Sequence, residues 1–137
     1  MLVAFLVGSS FNLFAQRQME KLDRGLIAMR QGADSVYVGW RLLGTEPDEI
    51  AFNLYRKTGE KPAVKLNNQP IIQSTNFIDT KVDFSFANTY FVKAVIKGVE
   101  QFASKSYVLP VNVLSKQYLD IPLKTPIGYS PNDLSVG

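Results

Sequence analysis

Glu46, Asp48 and Glu49 put three carboxylates within four positions, and a cation could touch all of them. A calcium loop, however, alternates its oxygen ligands around a glycine-assisted turn, and this stretch carries Pro47. A solvated loop is the expected outcome. Asp79 and Asp83 stand four apart around a strand end, where separate surface placement is expected rather than a paired acid and base. Ser9, Ser10, Ser104 and Ser106 cannot build a serine triad, because the chain has no histidine. Cysteine is also absent, which removes a thiolate nucleophile, a thiolate metal site, a disulfide framework and a lipidated anchor. Phosphate-cradling glycine loops are missing as well. No catalytic, cofactor-binding or metal residue is assigned.

What remains is binding chemistry. Aromatic content is 12%, and sugar-binding domains stack rings on exposed aromatic faces. Tyr37 and Tyr55 fall on the outward phase of their strands, with Arg41 near them in the alternation. Such a group could stack a sugar ring and pair a uronate carboxylate. The preferred expectation is plainer: this face packs against another domain or carries ordinary cross-strand pairs. Net charge is only +3, with Lys and Arg scattered along the chain, so nucleic acid is not an expected partner.

The elements that must position these residues repeat with period two. Residues 35–42 alternate, with Val36, Val38, Trp40 and Leu42 inward and Ser35, Tyr37, Gly39 and Arg41 outward. Residues 50–56 follow suit, with Ile50, Phe52 and Leu54 inward and Ala51, Asn53 and Tyr55 outward. Residues 90–96 place Tyr90, Val92, Ala94 and Ile96 against Phe91, Lys93 and Val95. Weaker strands are expected at 25–30, 63–66, 75–78 and 104–109, and no window has a helical stripe. Turn residues at 31–34, 44–49, 58–59, 67–68 and 97–98 separate them. About seven short strands at such spacing predict an all-β antiparallel sandwich. Trp40 is expected to pack between its sheets, and Tyr90 resembles the tyrosine corner of fibronectin-type sandwiches, whose hydroxyl bonds to backbone.

The ends read differently. Residues 2–14 carry no charge, the first charged residue being Arg17, and the run is too short to span a bilayer. A signal peptide is expected over 1–15, with an incomplete basic start, giving a secreted or periplasmic protein with no membrane contact after processing. The sandwich is expected over 16–117. Residues 118–137 hold Pro122, Pro126, Pro131 and Gly128, which predicts an extended connector to a further domain that the chain lacks.

Three stretches then point to a family. They are Leu22-Asp23-Arg24-Gly25-Leu26; Gly39-Trp40-Arg41-Leu42-Leu43-Gly44-Thr45 with Ile50-Ala51-Phe52-Asn53-Leu54-Tyr55-Arg56; and Gly128-Tyr129-Ser130-Pro131-Asn132-Asp133 with Ser135-Val136-Gly137. Together they resemble the N-terminal region of bacterial rhamnogalacturonan lyases, which are secreted pectin-degrading enzymes. The resemblance implies a β-sandwich, fibronectin type III-like or immunoglobulin-like, ahead of a catalytic β-propeller. It implies that the propeller holds calcium and cleaves between rhamnose and galacturonate by β-elimination. A base there would remove the proton beside the uronate carboxylate while cations neutralise that carboxylate. No catalytic residue carries over, and no cofactor is expected in this chain. The implied partner is the propeller, normally in the same chain; pectic polysaccharide is met indirectly. Tyr37, Arg41 and Tyr55 become candidate propeller contacts, and the chain alone is expected to be inactive. The alternative is a stand-alone carbohydrate-binding or fibronectin-type surface interaction module.

Overall fold

The computed structural model describes residues 22–130. The leader expected at 1–15, the first residues of the expected domain and the tail's last residues, 131–137, lie outside the described residues. Eight strands form among the described residues, and no helix does. They are β1 (Ile27–Arg30), β2 (Val36–Gly39), β3 (Ala51–Thr58), β4 (Val64–Lys65), β5 (Asn76–Asp79), β6 (Asn88–Ile96), β7 (Val99–Ala103) and β8 (Tyr107–Leu109). One sheet runs β1-β2-β5; the other runs β4-β3-β6-β7, with β8 also on β6. Every pairing is antiparallel.

Alternating apolar side chains explain why the sheets face each other. Val36 and Val38 of β2 meet Leu54 of β3 and Val92 of β6 in a shared core, all nearly sealed from solvent. Each such side chain contributes about 1.5–3 kcal/mol by leaving water. Trp40 is buried beside them, its ring 5.5 Å from that of Phe52 in an edge-on arrangement. It sits one residue past β2, held by its N–H to Thr75 O at 2.9 Å.

Four expectations need correction. Leu42 does not face the core: it is 60% exposed. β2 ends at Gly39, opposite Asn76, and Arg41 N–H turns to Arg24 O at 2.7 Å. Period-two lettering runs on after the pairing partner has stopped. β7, Val99 to Ala103, is a strand that alternation does not reveal, since all five residues are exposed on a sheet edge. With it the strands number eight, where about seven were expected. Ala51, Asn53 and Val95, expected to face water, are buried. Ala51 and Val95 are cross-strand neighbours, and Asn53 is roofed by the side chains it bonds. Finally, Tyr90 does not form a corner through backbone, because its hydroxyl donates to the Asp79 carboxylate at 2.9 Å.

Turns complete the frame. Lys97 and Gly98 both have positive φ, 50° and 77°, and link β6 to β7 in a two-residue hairpin. That handedness matches the twist of the flanking strands.

Candidate functional site

Tyr37 lies on the outward face of β2, between Met29 of β1 and Ile78 of β5. Its ring leans over Gly39, where an added Cβ would come within 3.0 Å of it. Arg41, just past the strand, drapes over Gly25, where a Cβ would meet its Nε at 3.0 Å. Gly25 also has φ +49°, so both close approach and backbone conformation call for glycine there. Tyr55 sits elsewhere. It belongs to β3 in the other sheet, and Val36, Val38 and Leu54 between them point into the common core. Tyr37 and Tyr55 therefore point away from each other, on opposite outer faces. The structure keeps Tyr37 and Arg41 at one end of the same sheet and separates Tyr55 from both.

Tyr55 is occupied within its own sheet. Its ring stacks on Phe91, centroids 5.1 Å apart and nearly parallel, and Lys93 Nζ lies 5.1 Å from its centroid. Its hydroxyl donates to Glu100, which also accepts from Asn53 Nδ2 at 2.6 Å and Lys93 Nζ at 3.0 Å. Those bonds, from Tyr55 first and then Asn53 and Lys93, hold the Glu100 carboxyl down at about 2. Burial, with Glu100 second, pushes the Tyr55 hydroxyl up to about 12.

Two further charge clusters brace the fold. Asp79 at the end of β5 is buried and its Oδ2 accepts from Arg56 Nη1 at 2.5 Å and from Tyr90. This contact joins the two sheets, because Arg56 and Tyr90 belong to β3 and β6. Burial, then the Asp79 charge, raises the Tyr90 hydroxyl above its ordinary range. Asp83 stays exposed and caps Ser85 N–H at 2.9 Å. In the acidic loop, Asp48 and Glu49 are exposed but Glu46 is half-buried. It pairs with Arg24 through both oxygens and accepts from Leu43 N–H at 2.8 Å. Burial opposes ionisation there, yet the Arg24 and Leu43 bonds outweigh it and lower the carboxyl. Sequence spacing missed both clusters because their partners are 22 or 23 residues apart, on different elements. Among the described residues no group of three or more acids, His or Cys is arranged to hold a metal ion. Among the same described residues no helix is long and apolar enough to cross a membrane.

Two antiparallel sheets closed over one apolar core, with polar clasps at the rim, define a fibronectin type III-like β-sandwich. An Fn3-like protein from Clostridium thermocellum shares this fold, with 26% identity and a TM-score of 0.51, matching 67% of this chain and 93% of that one. Residues 17–109 match the rhamnogalacturonan I lyases beta-sheet domain, and the chain belongs to that family. Two relatives come from Bacillus subtilis (strain 168). Rhamnogalacturonan endolyase YesW is 39% identical over 133 residues, 90% of this chain and 19% of YesW. Rhamnogalacturonan exolyase YesX is 39% identical over 132 residues, 89% of this chain and 20% of YesX. The chain thus spans about a fifth of the length of these curated relatives.

Proposed function

We propose that this chain is the non-catalytic sandwich of a secreted rhamnogalacturonan lyase, serving a catalytic part carried on the same polypeptide. The observation that carries this reading is the apolar surface beyond β8. Leu114, Tyr118, Ile121, Leu123, Ile127 and Tyr129 are all more than half exposed. Side chains of that size and number want a partner surface. The family match and the one-fifth coverage of both lyases support a partner in cis.

In this reading the carboxylates of the sandwich are structural. Glu46, Asp79 and Glu100 are each committed to cations or hydroxyls of the domain itself. Proton abstraction beside a uronate carboxylate, and the calcium that neutralises it, belong to the catalytic part. The apolar leader at 1–15 delivers the enzyme to an extracellular or periplasmic pectic substrate. The test is direct. The purified chain, incubated with rhamnogalacturonan I and calcium, is expected to release no unsaturated uronate ends by ultraviolet absorbance. Joined to the remainder of YesW in place of its matching segment, it is expected to support lyase activity. Release of unsaturated ends by the chain alone overturns the proposal.

A further inference from the structure

We propose that the outer face of the β1-β2-β5 sheet is the surface on which the remainder of the lyase chain docks; this rests on the reading above. Five side chains point outward from that sheet, Ile27, Met29, Tyr37, Asn76 and Ile78, with Gly39 beneath the Tyr37 ring. None of them is Lys, Arg, Asp or Glu, in a chain of which 20% is charged. Loss of charge, with an aromatic on the central strand and a methionine beside it, is the composition of an interface core, not of a solvated face. Ile78, on edge strand β5 beside Tyr37, is 46% exposed. Arg41 and Lys116 stand at its margin, where an interface tolerates charge.

The middle of the opposite outer face is polar instead, and the exposed Val64, Val99 and Phe102 lie on that sheet's edge strands β4 and β7. In that middle Asn53, Tyr55 and Lys93 each donate to Glu100, and Tyr55 spends its ring on Phe91. The two faces of the sandwich are therefore chemically distinct.

The occupant follows from the path of the chain. After β8 the backbone crosses to the edge of β1. Arg30 Nη1 donates to Val113 O at 2.9 Å, and Ser115 Oγ donates to Gln31 O at 3.0 Å. A recess of about 350 Å³ opens where the segment passes, lined by Met29, Gln31, Lys116 and Gln117. From that edge the chain continues with Leu119, Ile121 and Leu123 on alternate positions, all exposed. Polypeptide leaving this point starts beside the uncharged face and already carries an apolar row. Docking in cis needs only a short span, which gives the face a high local concentration of its partner.

Hydroxyl-radical footprinting of the chain alone, and of the chain joined to the YesW remainder, tests this. Methionine and tyrosine oxidise readily, so Met29 and Tyr37 report on the face. The expected result is loss of most Met29 and Tyr37 oxidation in the joined protein, while Phe102 on β7 remains reactive. Protection of Phe102 or Tyr55 with Met29 and Tyr37 unchanged overturns the surface but leaves the in-cis reading standing. No protection anywhere overturns both. Ile78→Lys supplies a second measurement. It is expected to lower the melting temperature of the joined protein and to leave that of the chain alone unchanged; an unchanged joined protein overturns the surface.

Discussion

Asp79 shows what a single buried acid does in a small sandwich. It reaches from one sheet to a guanidinium and a phenol on the other, all within the rim of the core. Removing it leaves Arg56 partly buried without its anion, which is the costly way to break an ion pair. Asp79→Ala is expected to cost about 3 kcal/mol in urea unfolding, discounted from the fully buried case because Arg56 keeps some solvent. Tyr90→Phe keeps the ring and removes one donor to a charged acceptor, so about 1.5 kcal/mol is expected. Because both losses pass through Oδ2, the double mutant is expected to lose less than the sum.

Glu100 is a residue-scale prediction in pH. Its carboxyl sits at about 2 in the fold against an ordinary 4.5. A lowered pKa favours the ionised folded state, so the contribution is complete above about 4.5 and is lost as pH falls towards 2. Melting temperature is expected to decline across that window, and Glu100→Gln to flatten the decline. Tyr55 works at the other extreme. Its hydroxyl is raised from 10.0 to about 12, so its contribution is present below pH 10 and is lost as pH rises through 12.

At the scale of the element, the β6-β7 hairpin rests on its turn. Gly98 has φ +77° and open space where a Cβ would go, so Gly98→Ala meets only backbone strain. A cost of about 1 kcal/mol is expected from denaturant unfolding. Elements also explain which parts of the fold could be read in advance. β2, β3 and β6 announce themselves because each sends one side chain row into the core, β3 over its first half. β7 does not, because an edge strand with five exposed residues is under no pressure to alternate. Leu42 errs in the other direction: its letter continues a pattern three residues past the end of β2. Leu42→Ser is expected to change stability by less than about 0.5 kcal/mol.

For the whole molecule, the two sheets do different work. The larger sheet knits its outer face into a polar network, while the smaller leaves its outer face free of charge beside the departing chain. Tyr37 and Tyr55 looked equivalent by phase and are separated by the thickness of the core. Phase along a strand says inward or outward; it cannot say which of two sheets a strand has joined. The family resemblance was legible in the motifs around Gly25, Trp40 and Tyr55, and the family match rests on the same span. Gly25 and Gly39, it turns out, are the positions that clear room for Arg41 and Tyr37.

Composition and period two, by themselves, determined an all-β sandwich without histidine or cysteine chemistry, because those properties reside in residue type and in spacing along one strand. Only the tertiary structure decided that buried Asp79 and half-buried Glu46 are braces, that the proposed sugar-stacking group is divided between two faces, and that one face is left uncharged. Those outcomes depend on contacts between residues far apart in the chain, and no local pattern encodes a distance across a core.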